Sequence, residues 1–299
     1  MADRATSNKS GFVAVIGRPN AGKSTLLNSL LGEKLVIVSD KPQTTRNKIT
    51  CILTRPDAQI IFLDTPGLHK PKTKLGEYMV GTAQSAYKEV DVVLLLIDAA
   101  VSIGAGDRYV VESLREIQTP VLLALNKTDL VSAEHTAELT ATYRDWFPFA
   151  GIIPVSALRQ TNLPALLAAI IGLLPEGPRY YPEDMVIDQP ERFIVAELIR
   201  EKAMQLTNEE VPHAVAVDIE EMATRENDMV FIRAVLYAEK DSQKGIIIGA
   251  GGTKLKEIGR RARQDIENLL GSKIYLDLWV KVKKDWRKRE KALRQFGYE

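Results

Sequence analysis

Residues 17–24 read Gly17-Arg18-Pro19-Asn20-Ala21-Gly22-Lys23-Ser24, a complete G-x-x-x-x-G-K-S phosphate loop. The apolar run Phe12-Val13-Ala14-Val15-Ile16 precedes it and Thr25-Leu26-Leu27-Asn28-Ser29-Leu30-Leu31 follows it, so the loop joins a strand to a helix. Its glycines let the backbone bend until several N–H groups face a triphosphate. Lys23 brings positive charge to the β- and γ-phosphates, and the Ser24 hydroxyl is a ligand for Mg²⁺. From this segment the expected nucleotide contacts are Gly17, Asn20, Ala21, Gly22, Lys23, Ser24 and Thr25.

Outward from the loop, residues 11–174 alternate strand-like and helix-like stretches. Residues 49–54 and 59–63 read as neighbouring strands. Residues 91–97 and 120–125 are continuous apolar runs, the pattern of parallel strands covered on both faces, and 151–155 is a weaker one. Helical patterns cover 107–117, 133–146 and 163–174. This order predicts a doubly wound α/β domain, in which ligands bind beyond the carboxyl ends of the strands.

Further motifs fall at those ends. Asp64-Thr65-Pro66-Gly67 follows the strand 59–63. Asp64 can hold Mg²⁺ through water, and the Gly67 N–H can meet the γ-phosphate, so this loop can sense hydrolysis. Asn126-Lys127-Thr128-Asp129 follows the strand ending at Leu125. The Asp129 carboxylate can accept hydrogen bonds from the N1–H and 2-amino group of guanine. Adenine lacks both donors and leaves the carboxylate unpaired, which selects guanine. Asn126 can bond the other edge of the base, the Lys127 stem can cover its face, and Ser156-Ala157 can present a backbone N–H to O6. In Pro42-Gln43-Thr44-Thr45-Arg46, one threonine is needed to complete the Mg²⁺ shell, and Thr45 is the expected one. The metal set is then Ser24, Thr45 and Asp64, and the catalytic set Lys23, Thr45, Asp64 and Gly67.

Many GTPases carry a water-orienting glutamine just after D-x-x-G. Here that residue is Leu68, which cannot serve, so slow intrinsic hydrolysis is expected. Another loop, backbone groups or a partner must orient the water. His69 reads as a loop residue rather than a base. His135 and His213 lack spaced ligand companions, so no zinc site is suggested.

The 299 residues, 45% hydrophobic and 26% charged, suit two folded domains. The single cysteine, Cys51, excludes an intramolecular disulfide, fits a reducing cytoplasm and reads as a core thiol. The longest apolar stretch, 166–174, falls far short of the ~20 residues that cross a bilayer. Residues 1–10 read as a short polar leader. Pro175, Pro178, Pro182 and Pro190 make 175–190 an extended connector, and 191–299 a second domain. The net charge of +1 conceals an asymmetry. Residues 191–242 hold 6 basic and 12 acidic side chains, whereas 243–299 hold 15 basic and 7 acidic, or +8 (15 − 7). Such a surplus attracts an anionic polymer.

The second domain reads as a helix (192–206), two strands (213–220 and 229–238), a short helix, a glycine loop, a longer helix (255–270) and a last strand (273–283). The loop Gly249-Ala250-Gly251-Gly252 fits G-x-x-G, with Lys254, Lys256 and Arg260 close behind. It lets a nucleic-acid backbone approach two helices closely. That element order around that loop resembles an α+β KH domain of type II and points to RNA. The tail adds Lys283, Trp286 and Arg287. Trp286 can stack on a base or pack the tail onto the domain, and both readings stand.

Taken together, GRPNAGKSTLLN (17–28), PQTTR (42–46), DTPGLHKP (64–71), NKTD (126–129), SAL (156–158), YYPED (180–184) and IIIGAGGTKLKEIG (246–259) resemble the Era family, bacterial GTPases with a C-terminal KH domain. The resemblance runs from about Gly11 to the C-terminus. It implies a cytoplasmic switch that binds GTP and GDP with Mg²⁺; a monomer is the default because the sequence shows no extended apolar seam. It further implies binding near the 3′ end of small-subunit (16S) ribosomal RNA and a role in 30S subunit assembly. Relatives with Asn at the Asn20 position use it to hold K⁺, so K⁺-stimulated hydrolysis is implied as well. The alternatives are an RNA-binding protein whose nucleotide site only stabilises the fold, and a GTPase that signals through a protein or a peripheral membrane contact.

Overall fold

The computed structural model describes residues 8–225 and 228–298. In the first unit, β1 (Lys9–Gly17) lies between β3 (Ala58–Asp64) and β4 (Val92–Asp98) in a sheet of order β2-β3-β1-β4-β5-β6. The other strands are β2 (Ile49–Thr54), β5 (Val121–Asn126) and β6 (Gly151–Pro154). All pairings are parallel except β2 with β3, which is antiparallel. The continuous apolar runs of β1, β4 and β5 are buried because helices cover both faces. On one face Ile16, Val93, Leu95 and Leu123 pack with Val110 of α3 (Ala105–Ser113) and Tyr143 of α4 (Ala133–Trp146). The remaining helices are α1 (Lys23–Leu31), α5 (Leu163–Leu173) and, from Met79 onward, α2 (Lys74–Ala86). The order reverses at β1, and the loops after β1 and β3 open at the same edge. Register sets Val15 opposite Asp64, which brings the phosphate loop and the D-x-x-G loop together.

Two boundaries differ from the sequence expectation. Residues 1–7 of the leader lie outside the described residues, but Lys9 and Ser10 begin β1. Ser10 is buried, and its N–H donates to the Pro175 carbonyl at 3.1 Å. The connector is not free either. Ile52 N–H donates to Val186 O and Asp188 N–H to Thr50 O, both at 2.9 Å, so this stretch covers the outer edge of β2. The Tyr180 and Tyr181 N–H groups donate to Gln59 Oε1 at 2.7 and 2.9 Å. The first unit therefore runs to Asp188.

The second unit comprises Gln189–Glu299 together with two earlier segments, Ile37–Thr44 and Pro71–Tyr78. Its helices are α6 (Glu191–Gln205), α7 (Val211–Ala214), α8 (Asp241–Ile248), α9 (Thr253–Leu270) and α10 (Glu290–Gln295). Its sheet, β7 (Ala216–Thr224), β8 (Val230–Ala238) and β9 (Ile274–Val282), has the order β7-β8-β9, antiparallel and then parallel. The first strand starts later than the pattern suggested because Pro212 sits in the first turn of α7. It runs on to Thr224 through a bulge between Ile219 and Glu221. Along α9, Ile258, Ala262 and Ile266 form the buried stripe. Helix α6 buries Arg200, Glu201 and Lys202. Arg200 pairs with Glu197 and donates to the Thr44 carbonyl. Glu201 accepts from the Val38 N–H at 2.9 Å, and Lys202 bridges Glu201 (2.7 Å) and Asp265 (2.6 Å). Among the described residues no helix is long and apolar enough to cross a membrane.

Candidate nucleotide site and nucleic-acid interface

The phosphate loop turns into α1 at Gly22, whose φ is 97° and whose added Cβ would stand 2.3 Å from Asn126 Nδ2. No other residue fits there. Lys23 opens the helix. Its buried ammonium donates to the carbonyls of Arg18 (3.1 Å) and Gly17 (3.4 Å). Burial pushes the Lys23 pKa down to about 8, against the upward pull of Asp64. Asn20 is exposed with a φ of 65°, and Thr25 lies half-buried in the first turn of α1.

Asp64 is fully buried, and burial raises its pKa against the opposing effects of Lys23, Ser24 and Thr45. Its Oδ2 accepts from Ser24 Oγ at 3.0 Å and from Thr45 Oγ1 at 3.1 Å, and the two hydroxyls lie 3.2 Å apart. Asp64 Oδ1 is buried without a hydrogen-bond partner. Hard oxygen atoms thus converge at a helix N-terminus, with one carboxylate oxygen left over. That donor set fits Mg²⁺, which takes one or two protein carboxylates or hydroxyls and completes its shell with water and phosphate oxygens. Thr44, the other threonine of the segment, donates instead to the Lys41 carbonyl at 2.7 Å.

At the base end, the structure brings Asp129 and Ser156 together, with Ser156 Oγ donating to Asp129 Oδ1 at 2.6 Å. Asn126 acts as a brace. Its Nδ2 donates to the Ala21 carbonyl, and its Oδ1 accepts from the Ala157 N–H, both at 2.9 Å. The amide expected to reach the base, and the N–H expected to meet O6, are engaged here with each other. Lys127, in the left-handed region at φ 65°, is held by Asp98 at 2.6 Å. Sequence reading passed over Asp98. The signal was topological, since β4 and β5 pair with Asp98 opposite Asn126. It also passed over Asp107, which takes the Arg18 guanidinium at 2.9 Å and the Gly104 N–H at 2.9 Å.

Leu68 is 2% exposed and packs in the core with Ala14, Ile16 and Val93, while its N–H donates to Gly17 O at 3.0 Å. Its side chain is therefore turned away from any attacking water. Gly67 lies against the phosphate loop, where an added Cβ would stand 2.7 Å from Pro19 N. His69 keeps a loop role, its Nδ1 lying 2.8 Å from the Gly67 carbonyl.

In the second unit, Gly249, Gly251 and Gly252 have φ of 73°, 57° and 81°. At Gly251 and Gly252 an added Cβ would meet nothing within 4 Å, which leaves the loop open to an approaching backbone. Ala250 and Lys256 are exposed and Lys254 half-buried, around the N-terminus of α9. Arg260 is tied to Glu257 at 2.8 and 2.9 Å, and Arg261 joins it at 2.6 Å. These two guanidinium groups push the Glu257 pKa down to about 2. Beside the loop runs a groove of about 730 Å³ lined by Gly252, Lys256, Gly259, Arg263, Tyr275 and Leu278, among others.

The tail corrects the sequence expectation. Trp286 is 0% exposed. Its indole N–H donates to the Ala214 carbonyl at 2.8 Å, and its ring lies 5.9 Å from Tyr298. No face is left for a base. Arg287 pairs with Glu239 at 2.6 Å. Lys283 reaches Gln295 and sits 5.0 Å from the Phe296 ring. Trp286 holds the tail onto the domain and so leaves the RNA set for a structural one, while Arg287 and Lys283 stay partly exposed beside it.

A family model described as 50S ribosome-binding GTPase matches residues 12–127, and a KH-domain model matches residues 210–287. Two solved structures are similar over nearly the whole chain. One is Era in complex with MgGDPNP and nucleotides 1506–1542 of 16S ribosomal RNA. It is 44% identical, with 97% of this chain and 99% of that chain covered and a TM-score of 0.94. The other is a single-substitution variant of Era from Aquifex aeolicus bound to GDP·AlF₄⁻. It is 43% identical, with the same coverage and a TM-score of 0.94.

Proposed function

Because the chain belongs to the Era family of GTPases, we propose that it is a GTP-operated switch that binds the 3′ region of 16S ribosomal RNA through its KH unit and serves 30S subunit assembly. The observation that carries this is the presence, on one chain, of a complete guanine-nucleotide constellation and an open glycine loop beside a groove. The likeness to Era bound to that RNA supports it. Ser24, Thr45 and Asp64 would hold Mg²⁺, which would supply charge to the phosphates when bound. Lys23 adds positive charge at the β- and γ-phosphates, and Gly67 offers its N–H to the γ-phosphate. Asp129, steadied by Ser156, reads guanine. The protein works as a cytoplasmic monomer. Trp286 is buried in the tail and so is not presented to a lipid surface.

With Leu68 in the core, the attacking water must be oriented by groups other than a side chain at that position. In this reading Asn20 would hold K⁺, and the ion would add positive charge beside the phosphates. Hydrolysis is then expected to run roughly tenfold or more faster in K⁺ than in Na⁺ at equal ionic strength. Equal rates remove the ion from the mechanism.

The RNA assignment is tested by Gly251→Asp. Aspartate tolerates the left-handed backbone, so the fold survives, while a carboxylate now faces the phosphates. Affinity for an oligonucleotide from the 3′ end of 16S RNA is expected to fall roughly tenfold or more, with a thermal midpoint lowered by only about 2–4 °C. Unchanged affinity would place RNA elsewhere.

A further inference from the structure

Strand β9 alternates strictly. Ile274, Leu276, Leu278 and Val280 face the helices, and Tyr275, Asp277, Trp279 and Lys281 occupy the other face of the sheet. On that face Tyr275 is 55% and Trp279 56% exposed, large aromatic surface that no described element of the chain covers. Phe231, the register partner of Tyr275 on β8, stacks on it at 5.7 Å with an interplanar angle of 8°. Arg225 and Arg233 lie over the Phe231 ring at 5.1 and 5.4 Å. Three acidic side chains of this region are engaged by its own bases: Glu221 by Arg225 and Arg233, Asp277 by Arg233, and Glu220 by Lys281. Asp218, in register with Val235 and Trp279, adds one negative charge at the far end of the face. What remains on offer is flat π surface flanked by guanidinium groups.

Tyr275 also lines the groove beside the glycine loop, so groove and sheet face are continuous across one side chain. A KH groove clamps about four nucleotides, and a longer strand must leave past one end. Tyr275 and Trp279 are four residues apart on one strand, about 13 Å, a span of two to three nucleotides. We propose that single-stranded RNA leaving the groove crosses the rim at Tyr275 and lays further bases on the open face of the sheet, stacked against Tyr275 and Trp279. This platform rests on the groove itself being the RNA site. Stacking of this kind tolerates any base, so the extension adds affinity more than sequence selectivity.

Trp279 is a built-in reporter. Trp286 is buried, and Trp146 is packed under Arg108 in the other unit. The full chain is titrated with a four-nucleotide and a ten-nucleotide single strand that share their 5′ sequence, and binding and tryptophan emission are followed together. The ten-mer is expected to bind at least about fivefold more tightly and to quench emission, and Trp279→Phe is expected to abolish most of the quench. Trp279→Ala is expected to bind the four-mer as the parent does and the ten-mer about fivefold or more weakly. Equal affinities with no quench, or a Trp279→Ala variant that binds the ten-mer like the parent, overturn the platform while the groove stands. The exposed face is then left to a protein partner. If neither oligonucleotide binds the parent, the groove reading fails and the platform falls with it.

Discussion

Asp129→Asn is expected to weaken GTP binding by roughly 10²- to 10⁴-fold and to turn the site toward xanthine nucleotides. The carboxylate accepts from two donors of guanine, and each charge-assisted bond contributes about 1.5–3 kcal/mol. An amide can accept one of those bonds but presents a donor to the 2-amino group. In xanthine a carbonyl oxygen replaces that amino group, so the amide can pair with both positions. Ser156 Oγ, 2.6 Å from Asp129 Oδ1, remains to steady the new side chain. Calorimetric titration of the variant with GTP and with xanthosine triphosphate separates loss of specificity from loss of fold. Parent-like GTP affinity would mean that Asp129 does not read the base.

Lys23→Ala is expected to lower the rate of GTP hydrolysis by roughly 10²- to 10³-fold at saturating Mg²⁺ and nucleotide, the usual effect of removing one preorganised donor from developing charge. The side chain is buried at the start of α1 and aligned beside Asp64, so it has little freedom to be replaced by solvent. Single-turnover hydrolysis reads the effect directly. A variant that lost hydrolysis yet supported full biological function would favour an RNA-binding protein with a merely structural nucleotide site.

Much of this architecture is legible before any coordinate. The phosphate loop, Asp64 and Asn126 each end an apolar run, because a parallel sheet covered on both faces must be written as such runs and its ligands must sit at their carboxyl ends. The type II KH order is legible for the same reason, since its periodicity changes at the glycine loop. What stayed hidden involves side chains whose partners are distant in sequence. Arg200, Glu201 and Lys202 are charged residue types that are ordinarily exposed, yet they are buried because Glu197, Asp265 and the backbone at Val38 and Thr44 satisfy them. The segment Ile37–Thr44 consequently belongs to the second unit, as does Pro71–Tyr78, where the Tyr78 ring lies 6.0 Å from that of Tyr298, and no composition boundary marks either. Trp286 in a basic tail reads equally as a stacking residue or an anchor. Only the Ala214 carbonyl and the rings of Phe296 and Tyr298 decide it. Asp98 and Asp107 carry no motif at all. Their roles come from strand register in one case and from the start of α3 in the other.

Ile37–Thr44 is adjacent in sequence to Thr45, the expected Mg²⁺ ligand, and is hydrogen-bonded to α6 of the KH unit. In the proposed switch, a nucleotide that orders Thr45 biases this segment, and whatever coupling to RNA results is reciprocal by linkage. The measurement that tests this most directly is binding of a 16S 3′-end oligonucleotide with a non-hydrolysable GTP analogue and with GDP, at fixed Mg²⁺ and salt. Tighter binding with the analogue, lost in Gly251→Asp, is the expected result. Equal affinity in the two nucleotide states would contradict a GTP-operated RNA switch.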